Sequence, residues 1–235
     1  MFFRGKRACD PARAQEKIDR FYENQENDHP VFNRRWQLAA AVTALVGGLA
    51  LFPVLENLVG AAYAGLLSKF LATGLVPLLV VLWVRPRWFW EKAGPGLPAL
   101  ADAVLGLIVA GFFVAADYFT GGSPLQGTAV SHFISAPGWS SVFLFVLFLL
   151  VYGALEVLFI LFLGITAQEL SGRKAALFFV PFGLWGLARA VGQPDPVLVI
   201  VLAAVYLLII LGLYRYRPTL WGAVAFWTVA SFFGI

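Results

Sequence analysis

Seven long apolar segments follow one another after residue 35, separated by short stretches that contain charged, Gly or Pro residues. Each segment is close to the ~20 apolar residues that a helix needs to cross a bilayer. The pattern therefore predicts an all-α fold, a polytopic transmembrane helical bundle of about seven spans, with residues 36–235 as its transmembrane domain. The predicted spans cover residues 36–55, 58–84, 97–119, 139–167, 175–191, 197–214 and 219–235. The long stretch 58–84, which contains Lys69, Gly74 and Pro77, is either one tilted span or a broken one.

The first 35 residues form a long polar stretch, which predicts a cytoplasmic N-terminal arm over residues 1–35. Asp10 and Pro11 have the residue types that favour the N-cap and the first position of a helix. A short amphipathic helix is therefore expected from about residue 11 to residue 25, with an apolar stripe along one side. Such a helix lies on the membrane surface or against a partner, or it is simply a solvated helix ahead of the first span.

The composition excludes a soluble globular domain. In this chain 60% of the residues are hydrophobic and 13% are charged, and the mean hydropathy is +0.82, whereas soluble domains have about 45 to 50% apolar and ~25% charged residues. The formal net charge of +4 does not indicate a nucleic-acid partner, because the basic residues flank the hydrophobic segments. A single cysteine, Cys9, excludes a disulfide framework.

The basic residues alternate between the two ends of the predicted spans. Of the 17 Lys and Arg residues, all but Lys69 and Arg189 lie in the N-terminal arm or in the connections after the second, fourth and sixth spans. Basic residues concentrate on the cytoplasmic side of membrane proteins. The sequence therefore predicts a multi-pass protein of the cell membrane with its N-terminus in the cytoplasm and its C-terminus outside.

Five ionisable residues fall inside the predicted spans: Lys69, Asp102, Asp117, Glu156 and Arg189. A charge at membrane depth costs ~2.5 to 3.5 kcal/mol, so each needs a partner or a purpose. At ~1.5 Å per residue, Lys69 and Arg189 lie at similar depths, and Glu156 can reach Arg189. Glu156 and Arg189 are either structural, satisfied by each other or by backbone and hydroxyl groups, or they mark a functional cavity. Asp102 and Asp117 are expected near the inner and outer surfaces, where water solvates them.

The two histidines, His29 and His132, fall on opposite sides of the membrane in this topology. They cannot share a metal ion, and no span supplies the ligands that a catalytic zinc needs. No metal site and no cofactor are therefore expected. His132 alone is a possible ligand for a haem or chlorophyll, and the alternative is an imidazole that hydrogen-bonds within its own loop.

Three stretches in the last third of the chain follow one another in a recognisable order: LEVLFI at residues 155–160, FGLWG at residues 182–186, and LYRYRPTLWGAVAFWTVAS at residues 213–231. They resemble the motifs EExxxR, FxxxH and LYLRTGSLWxxIxxHxxxN of the CAAX protease and bacteriocin-processing family, the Abi or type II CAAX prenyl endopeptidases. The resemblance covers residues 153–235 and implies a helical core like that of these intramembrane proteases. The residues that keep the spacing of the last motif are Leu213, Tyr214, Thr219, Leu220 and Trp221.

The sequence departs from this family at most of the catalytic positions. The first glutamate, the arginine, the two histidines and the asparagine are replaced by Leu155, Ile160, Gly186, Trp227, and Ala230 or Ser231. Glu156 alone remains of the catalytic set. A lone carboxylate without an imidazole or a metal ion does not activate water for peptide hydrolysis. The resemblance therefore implies a degenerate member of the family and argues against inherited catalysis.

Three functions are compatible with this sequence. The first is a non-catalytic integral membrane protein, a degenerate protease homologue that acts as a scaffold or accessory subunit, with the lipid bilayer and other membrane protein subunits as partners. The second is a small-solute or ion transporter, or a transporter component, that uses Lys69, Glu156 and Arg189. The third is a residual intramembrane peptidase that uses Glu156. The lost motif residues favour the first function, so the chain is expected not to be an enzyme.

Overall fold

The computed structural model describes residues 33–119, 139–190 and 195–233. Within these ranges all regular structure is helical, which confirms the all-α prediction. The predicted amphipathic helix of the N-terminal arm and both histidines, His29 and His132, lie outside the described residues.

The described part of the chain contains α-helical segments and three π-helical segments, numbered here in chain order. They are α1 (Arg34–Ala50), α2 (Phe52–Val59), α3 (Ala61–Lys69), π1 (Phe70–Gly74), α4 (Leu75–Trp83), α5 (Arg87–Trp90), α6 (Leu97–Phe119), α7 (Trp139–Phe148), π2 (Leu149–Leu155), α8 (Glu156–Ser171), α9 (Ala176–Pro181), π3 (Phe182–Gly186), α10 (Leu187–Ala190), α11 (Pro196–Tyr216) and α12 (Trp221–Phe233).

Four helical stretches in the described ranges are long and apolar enough to cross a membrane: Tyr63–Trp83, Leu97–Phe119, Val142–Ser171 and Pro196–Tyr216. The pair α1 and α2 adds a fifth if it is counted as one span, although it is bent by 50°. Two further apolar stretches, Ala176–Ala190 and Trp221–Phe233, are shorter. The apolar helices thus mark a membrane protein with four to five candidate spans, and the count of seven stays a prediction.

The stretch 58–84, for which the sequence left one tilted span and a broken span as alternatives, is interrupted near its start. Leu58 and Val59 belong to α2, and the next helix begins at Ala61. Gly60 separates the two helices with a φ of 82°, a backbone conformation that glycine adopts without steric cost. The second long helix therefore begins after this turn.

Helix α8 lies at the centre of the bundle. Its residues from Val157 to Leu163 are at most 7% exposed. The helix packs against α1, π1, α4, α9, α11 and α12. A helix that is apolar around its whole circumference suits such a position, because every side meets other protein. Glu156, the first residue of α8, is buried together with this helix.

Helices α6 and α12 cross at a point where two glycines face each other. A Cβ atom on Gly106 would overlap the carbonyl oxygen of Gly222, and a Cβ atom on Gly222 would lie 2.9 Å from the carbonyl oxygen of Asp102. On Gly111, also in α6, a Cβ atom would meet nothing within 4 Å. Small residues of this kind let helix backbones approach closely within membranes.

The connections 84–96 and 217–220 pack against each other, and we call them together the basic end. The Lys92 ammonium donates to the carbonyl oxygens of Tyr214 and Arg217. The Leu220 N–H donates to the Lys92 carbonyl oxygen at 3.0 Å. These hydrogen bonds place the two connections together at one end of the bundle. The sequence predicts the same side of the membrane for both, and that side stays a prediction.

Candidate functional site

Glu156 is a fully buried carboxylate that accepts three hydrogen bonds. Its Oε1 accepts one from the Lys69 ammonium and one from the Trp185 indole N–H, each at 2.6 Å. Its Oε2 accepts one from the Trp227 indole N–H at 3.0 Å. Burial of a carboxylate is tolerated only when such donors replace the lost water. We refer to Lys69, Glu156, Trp185, Arg189 and Trp227 as the Glu156 cluster.

Two cations surround this carboxylate. Lys69 forms a direct salt bridge with it at 2.6 Å, whereas Nη1 of Arg189 lies 3.9 Å from Oε1. The second distance is too long for a hydrogen bond. The side chain of Arg189 is 31% exposed and that of Lys69 is 18% exposed. With two cations and one carboxylate, the cluster carries a formal charge of one positive unit. Arg189 is the cation that lies farther from the carboxylate and is more exposed.

Aromatic rings support both cations of the cluster. The Cζ atom of Arg189 lies 4.8 Å from the ring centre of Trp227 and 5.3 Å from that of Trp185. The Lys69 ammonium lies 5.2 Å from the ring centre of Tyr152. Cation–π attraction reaches ~2 kcal/mol where water is excluded. The two indoles thus serve the carboxylate through their N–H groups and Arg189 through their faces.

Each of the three π-helical segments borders the cluster. Lys69 is the residue before π1, Glu156 is the residue after π2, and Trp185 lies within π3. A π-helical turn holds more residues than an α-helical turn, and such turns occur frequently at functional sites. The wider turns set the directions in which these three side chains leave their helices.

Asp102 is a second fully buried carboxylate, beside the basic end. Its Oδ1 accepts from Nε of Arg217 at 2.7 Å, and its Oδ2 accepts from the backbone N–H and the hydroxyl of Thr219 at 3.0 and 2.7 Å. The expectation that water solvates Asp102 was wrong, because protein donors satisfy both oxygens. Asp102 therefore ties α6 to the connection that leads into α12.

Lys92 lies in the same region, outside the spans. Partial burial lowers the pKa of the Lys92 ammonium below its ordinary value, and the nearby Asp102 carboxylate opposes that shift. Lys92 donates to two backbone carbonyl groups, and the Trp221 indole N–H donates to the carbonyl oxygen of neighbouring Ala93 at 3.2 Å. These contacts fix the two connections of the basic end to each other.

The structure brings together the three central charges that the sequence singled out, but their order of contact differs from expectation. Lys69, rather than Arg189, is the direct partner of Glu156. Asp117 lies near the end of α6 and is not one of the cluster residues. His132 lies outside the described residues.

The indole donors of Trp185 and Trp227 were not predicted. A signal for them exists in the sequence, because both lie within apolar segments rather than at the segment ends where Trp anchors a helix. A buried indole N–H usually finds an acceptor. Together with the buried acidic residue Glu156, these two positions indicate a polar contact inside the bundle.

The stretches 155–160, 182–186 and 213–231 meet at this cluster, since Glu156, Trp185 and Trp227 belong to them in turn. Within the described ranges, no three His, Cys, Asp or Glu side chains lie close enough together to hold a metal ion. The arrangement can join several helices through one carboxylate, and it presents a partly exposed guanidinium. The chain matches no protein-family model, no curated protein and no solved structure, so its function is inferred from its own residues.

Proposed function

We propose that this chain is a non-catalytic integral membrane protein that acts as a scaffold or accessory subunit of a larger membrane complex. The observation that carries the proposal is the environment of Glu156, which is fully buried and whose two oxygens both accept from protein donors, Lys69, Trp185 and Trp227. A general base must take a proton from water within hydrogen-bond reach. A carboxylate held by three protein donors serves instead to fix its helices to one another.

The proposal includes descent from the CAAX protease family with loss of its activity. What supports this relation is the convergence of the three motif-like stretches on Glu156, the one catalytic residue that the sequence retains. Trp227 stands at the position of the family's last histidine, and its indole N–H donates to Oε2 of Glu156 at 3.0 Å. An indole is a donor only, so it can hold the carboxylate but cannot exchange a proton with water as an imidazole does.

The proposal also includes a location in the cell membrane with seven spans, a cytoplasmic N-terminus and an external C-terminus. The alternation of basic residues and the packing of connections 84–96 and 217–220 at one end support this topology. In it, Ala176–Ala190 and Trp221–Phe233 are the fifth and seventh spans. Both are short for a span, and a bilayer accommodates short spans by thinning locally.

Co-purification tests the scaffold function. The full chain, extracted in mild detergent from its native membrane and isolated through a tag, is expected to carry one or more membrane subunits at a constant molar ratio, measured by mass spectrometry. A variant that lacks residues 1–32 is expected to lose them, while Glu156→Gln keeps those that bind through the arm. A polytopic protein with the same tag is the control. Isolation of the chain without any companion at constant ratio contradicts the proposal.

A peptidase assay separates the scaffold from a residual enzyme. The purified chain is expected not to cleave a prenylated peptide or a bacteriocin-like leader peptide. Cleavage that disappears in Glu156→Gln would replace the scaffold with a catalytic function, because it would show that the buried carboxylate still activates water.

A transporter is the second candidate, and the surplus positive charge at Arg189 favours it. A substrate pathway needs charges that are reachable, and the Arg189 side chain is 31% exposed. Substitution of Arg189 separates the two functions. If Arg189→Gln leaves the chain folded and bound to its companions while uptake of a solute is lost, the transporter takes the place of the scaffold.

A further inference from the structure

The guanidinium of Arg189 uses few of its hydrogen-bonding groups. It has five N–H donors, and its nearest recorded carboxylate atom among the described residues, Oε1 of Glu156, is 3.9 Å away. That oxygen already accepts from Lys69 and Trp185 at 2.6 Å. Because Lys69 neutralises Glu156 directly, the charge of Arg189 is the surplus charge of the cluster.

A hydroxyl group close to Arg189 also has no acceptor within the part of the chain that the structure describes. Tyr206 is 2% exposed, and its OH makes no hydrogen bond there. The Tyr206 ring lies 5.6 Å from the Trp227 ring, which Arg189 covers at 4.8 Å. A buried hydroxyl without a partner is costly. Tyr206 is thus an unsatisfied donor, and it lies against the same indole as Arg189, a guanidinium without a hydrogen-bond acceptor among the described residues.

The other charges around this place do not supply the missing anion. Arg189 and Asp117 are the charged residues that act electrostatically on the Tyr206 hydroxyl. Asp117 takes part in another interaction of its own. The remaining carboxylate, Glu156, is held by Lys69 and the two indoles. A positive charge at membrane depth without a counter-ion is unfavourable by ~2.5 to 3.5 kcal/mol.

We propose that Arg189 and Tyr206 bind a singly charged anion, a carboxylate or a phosphodiester, beside the Glu156 cluster. The planar guanidinium fork matches the two oxygens of either group. One negative charge neutralises the surplus charge of the cluster, whereas a doubly charged anion leaves an excess of the opposite sign. The inference does not rest on the scaffold function, since an accessory subunit and a transporter can both hold an anion.

The same chemistry has two sources, a soluble anion and the headgroup of an anionic lipid. Arg189 lies next to the last residue of the helix Ala176–Ala190, which at ~1.5 Å per residue is about 22 Å long, shorter than the ~30 Å hydrocarbon layer. The end of this helix therefore lies roughly 8 Å short of the far surface, and the long Arg189 side chain can extend towards that surface, where either kind of anion is present.

Thermal unfolding of the purified full chain in nanodiscs tests the site. In the first arm the lipid is neutral phosphatidylcholine, and sodium acetate or dimethyl phosphate is titrated at constant ionic strength, with sulfate as the comparison anion. In the second arm the nanodiscs contain phosphatidylglycerol and no added anion. Ligand that binds only the folded state raises the free energy of unfolding by RT ln(1 + L/Kd), where L is the free ligand concentration, so the dependence of the midpoint on ligand concentration gives an apparent Kd.

Tyr206→Phe is the decisive variant because it removes only the unpartnered hydroxyl and leaves the ring packing intact. We expect it to fold and to weaken the apparent affinity about tenfold, the effect of one hydrogen bond to a charged group. Arg189→Gln is expected to abolish the midpoint shift. Arg215→Gln, which removes an exposed cation at the end of α11, is the matched control and is expected to respond as the original chain does.

The two arms identify the source of the anion. A midpoint shift that follows the logarithm of acetate or dimethyl phosphate concentration above Kd assigns the site to a soluble anion, and a shift confined to phosphatidylglycerol nanodiscs assigns it to a lipid headgroup. Equal responses of the original chain, Tyr206→Phe and Arg189→Gln would overturn the proposal, and so would sulfate acting as strongly as acetate. If Arg189→Gln does not fold, Tyr206→Phe alone decides the outcome.

Discussion

Lys69 and Glu156 stand 87 positions apart in the chain and meet through a 2.6 Å salt bridge inside the helical bundle. Glu156 is the first residue of the central helix α8, and Lys69 is the last residue of α3 before π1. The pair therefore links the helix that other protein surrounds on all sides to a helix near the start of the described chain. The strength of this salt bridge therefore affects the stability of the packing around α8.

Replacing Lys69 with methionine is expected to lower the free energy of unfolding by ~3 to 5 kcal/mol, the range for breaking a buried ion pair. The variant leaves a fully buried carboxylate with Arg189 at 3.9 Å as its nearest cation. Unfolding in detergent, followed by circular dichroism, measures the loss. The double variant Lys69→Met with Glu156→Gln is expected to recover part of it, because no charge then lacks its partner.

Double-mutant cycles based on free energies of unfolding measure how strongly Lys69 and Arg189 each interact with Glu156. The coupling energy between Lys69 and Glu156 is expected to exceed that between Arg189 and Glu156, since the distances are 2.6 and 3.9 Å and Coulomb energy falls with separation. A larger coupling for Arg189 would mean that the guanidinium, rather than the ammonium, neutralises the carboxylate.

Gly106→Ala is expected to destabilise the protein by ~1 to 3 kcal/mol or more, the effect of overpacking a tight contact. The new methyl group would overlap the Gly222 carbonyl oxygen at the crossing of α6 and α12. Gly111→Ala is the matched control in the same helix, because a Cβ atom there meets nothing within 4 Å. The unfolding midpoints of the two variants give the comparison, and equal midpoints would contradict the close approach.

Asp102→Asn is expected to lower the free energy of unfolding by ~1 to 3 kcal/mol. The amide group cannot accept from Arg217 and from both Thr219 donors as the carboxylate does. The Arg217 side chain is 39% exposed, so water offsets part of its loss. Glu56→Gln, at an exposed position of α2, is the control. If Asp102→Asn leaves the free energy of unfolding unchanged, the buried contact contributes little to stability.

A reporter fused after Ile235 tests the predicted topology. The reporter is one that is active only outside the cytoplasm. It is expected to be active when fused after Ile235 and silent when fused after Arg217. The physical reason is the concentration of basic residues on the cytoplasmic side. Activity after Arg217 and silence after Ile235 would invert the proposed orientation, and equal signals at both fusion points would remove the seventh span.

Hydropathy located the apolar segments well because it depends on local composition alone. The predicted segment 97–119 coincides with α6 (Leu97–Phe119), and the predicted segment 197–214 lies within α11 (Pro196–Tyr216). Local composition does not report how a helix tilts or where it is interrupted. For that reason the sequence left a break within 58–84 open without locating it, and the bend after Ala50 and the turn at Gly60 were located only by the structure.

Counting residues from the segment ends predicts one depth for Lys69 and Arg189 but does not predict which of them contacts Glu156. That choice depends on the rotation of each helix about its axis. The π-helical turns alter that rotation, and nothing in the local sequence pattern marked them. The capture of Asp102 by Arg217 and Thr219 was missed because it joins two segments 115 to 117 positions apart.

The π2 segment makes the effect of a lost residue depend on where in the helix the loss falls. A π-helical turn holds more residues than an α-helical turn, so a deletion between Leu149 and Leu155 would let this stretch return to α-helical geometry while α7 and α8 keep their directions. A residue in an α-helix advances by ~100°, so the same deletion within α8 would rotate the side chains before it away from those after it. The loss of one codon is therefore expected to be tolerated in π2 and to disrupt the packing of the central helix when it falls in α8.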